Sequence, residues 1–178
     1  MLTAAGIVHR VVVSHYAEPD IPGLSGVELV AAHALGKARE VANRASADAR
    51  AILAADTAVL AGDRILGKPR DRDDARRMLD SLAGQTHTVA TAVCVLVEDV
   101  PHTFVDEARV RFRAYGPDQI DWYLDRGEWQ GRAGAYAIQG SGATLVAAID
   151  GDFTTVVGLP MARLLDLLEA CGLAPWER

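Results

Sequence analysis

The chain has 178 residues, half of them hydrophobic, and carries a formal net charge of -6 from 18 Lys and Arg against 24 Asp and Glu. That length favours one domain with a sizeable core, and the apolar content excludes a disordered chain. The acidic balance excludes a broad nucleic-acid or anionic-membrane footprint, so any phosphate must be held by a local pocket.

In chain order, residues 7–14 read as a strand, EPDIPGLSG as a loop, and 27–45 as an Ala-rich helix with apolar residues at helical spacing. Residues 51–60 predict a buried strand pair with a kink at Asp56-Thr57. The pattern over 71–82 predicts a helix with Asp71 as N-cap, Met78 and Leu79 inward, and Gly84 just past its end. Residues 86–97 and 103–113 are β-patterned runs around EDVPH and predict a hairpin. In the second run Ala108, Val110 and Phe112 share one face while Arg109, Arg111 and Arg113 share the other, which reads best as solvated. A helix over 117–126 with Pro at its first turn, a Gly-dense stretch and a helix over 160–170 complete the chain. The class is mixed α/β rather than a regular doubly wound sheet.

Cys94, in an apolar run, and Cys171, near the end of the last helical pattern, are too few for a disulfide scaffold and are expected to be buried thiols. The longest near-apolar stretch, 89–97, is well short of a membrane span, and the first ten residues lack a signal peptide's basic and apolar regions. A cytoplasmic protein with no membrane and no nucleic-acid partner is expected.

Among chemistry-bearing residues, Asp56 ends the apolar run AILAAD, as a carboxylate at the C-terminal end of a strand, the rim where α/β sheets bind ligands. A turn-capping Asp is the plainer reading. Gly67-Lys68-Pro69 follows at a hairpin's distance, and its Gly and Pro would hold Lys68 on a stiff loop suited to phosphate. Lys37 lies among Val30, Ala34, Ala38 and Val41, where a snorkelling surface lysine is the easier explanation and a phosphate contact the other. Glu18 stands in the loop before that helix and reads as a solvated residue or, with Asp56, as half of a site for a hard cation completed by waters and substrate oxygens. His9, His15, His33, His87 and His102 show no paired ligand spacing, so zinc is not expected. GxGxxG, GxxxxGK[ST] and G-x-S-x-G are all absent, and Ser141 in Gln139-Gly140-Ser141-Gly142 lacks the elbow spacing.

Eight ordered segments, AGIVHRVVVSHYAE, the LGKA around Lys37, AADT, ILGKPRD, LAGQTHTV, VRFR, AGAYAIQG and DGDFTTVVGLP, together span nearly the whole chain. In that order they resemble one family, the Maf-like nucleoside triphosphate pyrophosphatases, also described as septum-formation-inhibitor-like proteins. The resemblance implies a hydrolase that cleaves between the α- and β-phosphates of a nucleoside triphosphate, releasing pyrophosphate with Mg²⁺ or Mn²⁺. It makes Asp56 the catalytic proton acceptor, Glu18 and Asp56 metal ligands, and Lys37 and Lys68 phosphate contacts. Thr57 and Gln139 match positions tied to substrate choice and resemble the branch acting on dTTP and UTP, where a Gln amide can pair a pyrimidine edge. The implied fold is similar to that of house-cleaning inosine triphosphate pyrophosphatases, an elongated mixed sheet with flanking helices in two lobes around a cleft, often as a homodimer. Residues 1–178 are read as a single Maf-like domain that begins after the family's N-terminal strand and Ser-x-Ser-Pro-Arg loop. His15, Ala17, Gly131 and Thr155 also depart from the family pattern. A second reading stays open, a catalytically weak nucleotide-binding or interaction protein affecting cell division.

Overall fold

The computed structural model describes residues 1–44 and 49–176. It is a mixed α+β fold with one five-stranded sheet and flanking helices, in chain order α1 (Gly26–Ala42), β1 (Ile52–Ala61), β2 (Arg64–Leu66), α2 (Arg72–Leu82), β3 (Thr86–Val97), β4 (Val100–Phe112), α3 (Pro117–Leu124), β5 (Val146–Asp150), α4 (Phe153–Val157) and α5 (Met161–Ala170). The strands lie in the order β2-β1-β3-β4-β5, with β1–β2 and β4–β5 antiparallel. The chain divides into two compact units, one of residues 1–56, 91–106 and 158–178, the other of 57–90 and 107–157.

In the first unit α1 begins at a capping box. Ser25 Oγ accepts from the Glu28 backbone N–H, and the Glu28 carboxylate accepts from the Ser25 N–H at 2.8 Å, satisfying two of the helix's orphan donors. Val30, Ala34, Ala38 and Val41 are buried along one stripe, as the spacing predicts. The expected helix ran on to Ala45, which lies outside the described residues. Val93, Val95, Leu164 and Leu168 form this unit's core, joined by the half-buried Leu2, Ile7, Leu53 and Phe104.

In the second unit Asp71 caps α2, its carboxylate accepting from the Asp74 N–H at 2.7 Å, and Leu79 and Leu82 are buried beneath it. The core there combines Leu79, Val89, Val110, Phe112, Ile120, Tyr123 and Tyr136. Along β4 the predicted alternation holds, with Ala108, Val110 and Phe112 buried and Arg109, Arg111 and Arg113 exposed.

Four expectations fail for physical reasons. Residues 7–14 form no strand: the segment runs without hydrogen-bonded secondary structure, and Val8 is fully exposed although its composition is that of a strand. A β-pattern specifies a pleated surface, and a strand also needs a neighbour. Residues 51–60 are not a pair with a kink but one continuous strand, so Asp56 sits in the middle of β1 rather than at its end. The β3–β4 connection is tighter than EDVPH, because Glu98 and Asp99 both take positive φ, 48° and 65°, the conformation a two-residue primed hairpin turn requires. Cys94 is buried as expected, but Cys171 follows the end of α5 and is only half-buried.

Candidate functional site

The segment before α1 is laid along that helix by four contacts that run in opposite chain directions. The Glu40 carboxylate accepts from the Ser14 hydroxyl and the His15 N–H, each at 2.9 Å, and from Arg44 Nε at 2.7 Å. The Arg44 hydrogen bonds, first among these, hold Glu40 down at a pKa of about 2. Tyr16 packs over Gly36, where a Cβ would lie only 2.4 Å from the ring, so glycine is what permits the approach. Glu18 reaches Lys37, and the Pro19 carbonyl oxygen lies 3.1 Å from His33 Nε2. Glu18 itself adopts the left-handed conformation at φ 49°, which a non-glycine residue takes at a cost and which this register imposes.

This docking and the central position of Asp56 on β1 bring three of the sequence's candidates to one point. Lys37 Nζ lies 2.7 Å from Glu18 Oε1 and 2.5 Å from Asp56 Oδ1, and the Lys37 and Asp56 side chains are only 17% and 13% exposed. Lys37 is therefore not a snorkelling surface lysine, and Asp56 is not a turn cap. Burial pulls the Lys37 ammonium down, but its bonds to Asp56 and Glu18 outweigh this and raise its pKa above the usual lysine value. The second Asp56 oxygen, Oδ2, is 3.3 Å from Nδ1 of His33, a residue that ligand-spacing arguments pass over. The available signal was positional: His33 and Lys37 are one helical turn apart and so share a face. Lys37 also lies on the wall of a cavity of about 880 Å³, lined among others by Leu2, Val12, Ile52, Leu53 and Val95.

The remaining candidates belong to the second unit. Alternation along β1 turns Thr57 to the face opposite Asp56. Lys68 is exposed on a loop pinned at both ends: the Gly67 carbonyl accepts from the Gly134 N–H at 3.1 Å, and the Arg70 N–H donates to Asp74 at 3.1 Å. The antiparallel register ends at Val59↔Leu66, and continuing it by two residues leads to Thr57 and Lys68. Gln139 is exposed between two anchored ends. On one side the Ala137 N–H donates to Tyr123 Oη at 3.0 Å, and on the other the Glu128 carboxylate accepts from the Ser141 and Gly142 N–H groups at 3.0 and 3.2 Å. Those backbone donors hold Glu128 below the usual carboxylate range.

Among the described residues no group of three or more His, Cys, Asp or Glu stands ready to hold a metal ion. Glu18 and Asp56 do converge on a single cation, the Lys37 ammonium. Two hard oxygen ligands around one cation position suit a divalent ion that keeps waters and takes its other ligands from phosphate, as Mg²⁺ does.

The fold and site together define an α+β protein whose first unit carries a half-buried carboxylate–lysine–carboxylate bridge beside a cavity. The chain belongs to the Maf-like protein family, whose model matches residues 1–171. It is 48% identical over 151 residues to a protein of Anaeromyxobacter dehalogenans named dTTP/UTP pyrophosphatase, covering 82% of this chain and 77% of that one. A protein of the same name from Syntrophotalea carbinolica is 41% identical over 174 residues, 97% of this chain and 79% of its own. Another from Bacillus pumilus is 39% identical over 176 residues, 99% and 92% of the two chains. No helix among the described residues is long and apolar enough to cross a membrane.

Proposed function

We propose that this protein is a nucleoside triphosphate pyrophosphatase that hydrolyses dTTP and UTP to the monophosphate and pyrophosphate. The observation that carries the reading is the Glu18–Lys37–Asp56 bridge, found in a chain whose relatives bear the name dTTP/UTP pyrophosphatase. Asp56 is the general base: it takes a proton from a water whose oxygen attacks the α-phosphorus in line, while the bond to the bridging oxygen breaks and pyrophosphate leaves. In the free protein the Lys37 ammonium bridges the two carboxylates and offsets part of their charge. A triphosphate offers that ammonium a denser set of anionic oxygens, and its turn toward them frees Asp56 to accept the proton. Lys68, on its pinned loop, supplies a second point charge for phosphate. Glu18 and Asp56 would hold a divalent cation, Mg²⁺ or Mn²⁺, which when bound offsets phosphate charge.

Thr57 and Gln139 are the residues we assign to base choice. The exposed Gln139 amide carries one acceptor and two donor hydrogens, the complement of a pyrimidine's carbonyl and N–H edge. A cytoplasmic homodimer is part of the same proposal. The test is pyrophosphate release with Mg²⁺ across a nucleotide panel: turnover best with dTTP and UTP supports the reading, and turnover best with ITP or 7-methyl-GTP overturns the assignment of substrate.

A further inference from the structure

The proposed chemistry leaves one buried polar side chain at the site without a role. His33 is 7% exposed and bridges two segments that have no covalent reason to keep register. Its Nε2 lies 3.1 Å from the Pro19 carbonyl oxygen, next in sequence to Glu18, and its Nδ1 lies 3.3 Å from Asp56 Oδ2. Both partners accept, so whichever ring nitrogen carries the hydrogen has an oxygen in front of it. Tyr16 meets the ring edge-on at 5.9 Å between centroids. Lys37, one helical turn further along α1, takes the other oxygen, Oδ1. The two oxygens of Asp56 are thus each met by a different side chain of the same helix face.

That division matters because the torsion that turns an aspartate carboxylate is broad, with no sharp well of its own. A carboxylate held at one oxygen swings about that point, whereas one held at both oxygens by groups anchored on one rigid helix does not. Once Lys37 turns to phosphate, His33 still holds the other Asp56 oxygen from the same helix. We infer that His33 is a positioning residue for Asp56: anchored on the Pro19 carbonyl, it fixes the rotation of the carboxylate and ties the Glu18 segment to β1. The inference rests on the assignment of Asp56 as base, and its effect belongs to the chemical step rather than to substrate binding.

The test uses the full chain with His33→Leu, His33→Asn and His33→Gln, reading kcat and KM for dTTP with Mg²⁺. Alongside it runs a thermal-melting cycle, without nucleotide, of His33→Leu, Asp56→Asn and the double variant. His33→Leu is expected to lower kcat by roughly 10–100-fold, the scale of a misplaced catalytic group, with KM within about twofold of the parent. His33→Asn carries an amide N–H near the position of Nδ1 and should recover most of kcat; His33→Gln, which reaches toward Pro19 alone, should not. In the melting cycle the double variant should shift by less than the two single shifts combined. The inference is overturned if kcat is unchanged in His33→Leu, if KM rises while kcat holds, if the asparagine fails to recover activity, or if the melting shifts add. A parent chain that releases no pyrophosphate refutes the proposed function instead, and the melting cycle then decides the role of His33 alone.

Discussion

Replacing Lys37 with methionine removes the cation from between two carboxylates while keeping the apolar stem. With Nζ 2.5 Å from Asp56 and 2.7 Å from Glu18, the gross attraction is about 6 kcal/mol for each pair at an effective dielectric of about 20. Desolvation takes back most of that, but the substitution does not restore it, because Asp56, at 13% exposed, is left largely dry without its ammonium partner. Removing one partner of a buried pair costs about 3–5 kcal/mol. Glu18, at 31% exposed, can relax toward water, so the low end applies here. For a chain of this length about 3 kcal/mol corresponds to a melting temperature lower by roughly 6–12 °C. The assay is thermal unfolding of Lys37→Met and the parent with and without millimolar Mg²⁺. The variant should melt lower in the absence of Mg²⁺ and gain more from its addition than the parent does, since the two carboxylates no longer share an ammonium. A variant that melts within about 2 °C of the parent, or that is indifferent to Mg²⁺, would refute the view that these three residues form one electrostatically coupled site.

Gly36→Ala improves helix propensity but places a Cβ 2.4 Å from the Tyr16 ring, so Tyr16 and the Glu18 segment must move; kcat/KM should fall about tenfold or more, and unchanged activity would contradict that docking. His87, packed among Phe112 and Tyr136 and 2% exposed, has its pKa lowered by burial from 6.5 to about 4. The unfolded chain therefore binds the extra proton first as pH falls, and the stability due to a neutral His87, fully present above pH 6.5, is lost between 6.5 and about 4, amounting to about 3 kcal/mol. His87→Gln should accordingly lose less melting temperature than the parent between pH 7 and pH 4.5, and parallel pH profiles would be the contrary result. Gln139→Ala removes an exposed side chain, so stability should hold while the dTTP and UTP preference over purines shrinks by about tenfold; a preference that survives intact would exclude Gln139 from base choice.

Local signals carried the helices and most of the sheet. The Ala-rich stripe of α1, the Asp71 cap of α2 and the alternation of β4 each follow from the spacing of a few neighbouring residues. What the sequence hid depends on contacts distant along the chain. The valines of residues 7–14 look like a strand because propensity is local, yet pairing is not, and the segment docks on α1 through Ser14, Tyr16 and Glu18 instead. Asp56 read as a strand-end residue because a charge in an apolar run resembles a boundary; in the structure it continues β1 because Lys37 and His33 supply partners from 19 and 23 residues away. Glu18, Lys37 and Asp56 each had an ordinary surface explanation, and it was the order of several weak motifs, rather than any one of them, that singled them out. His33 carried no motif at all, and only the helical register with Lys37 pointed to it.

The central claim is that Asp56 is the base of a pyrophosphatase, and the most direct measurement is pyrophosphate release from dTTP with Mg²⁺ by the parent and by Asp56→Asn, beside nucleotide binding by both. Loss of a general base predicts a rate lower by roughly 10²–10⁴ with nucleotide still bound. An Asp56→Asn variant that turns over dTTP at a rate close to the parent's would contradict the account.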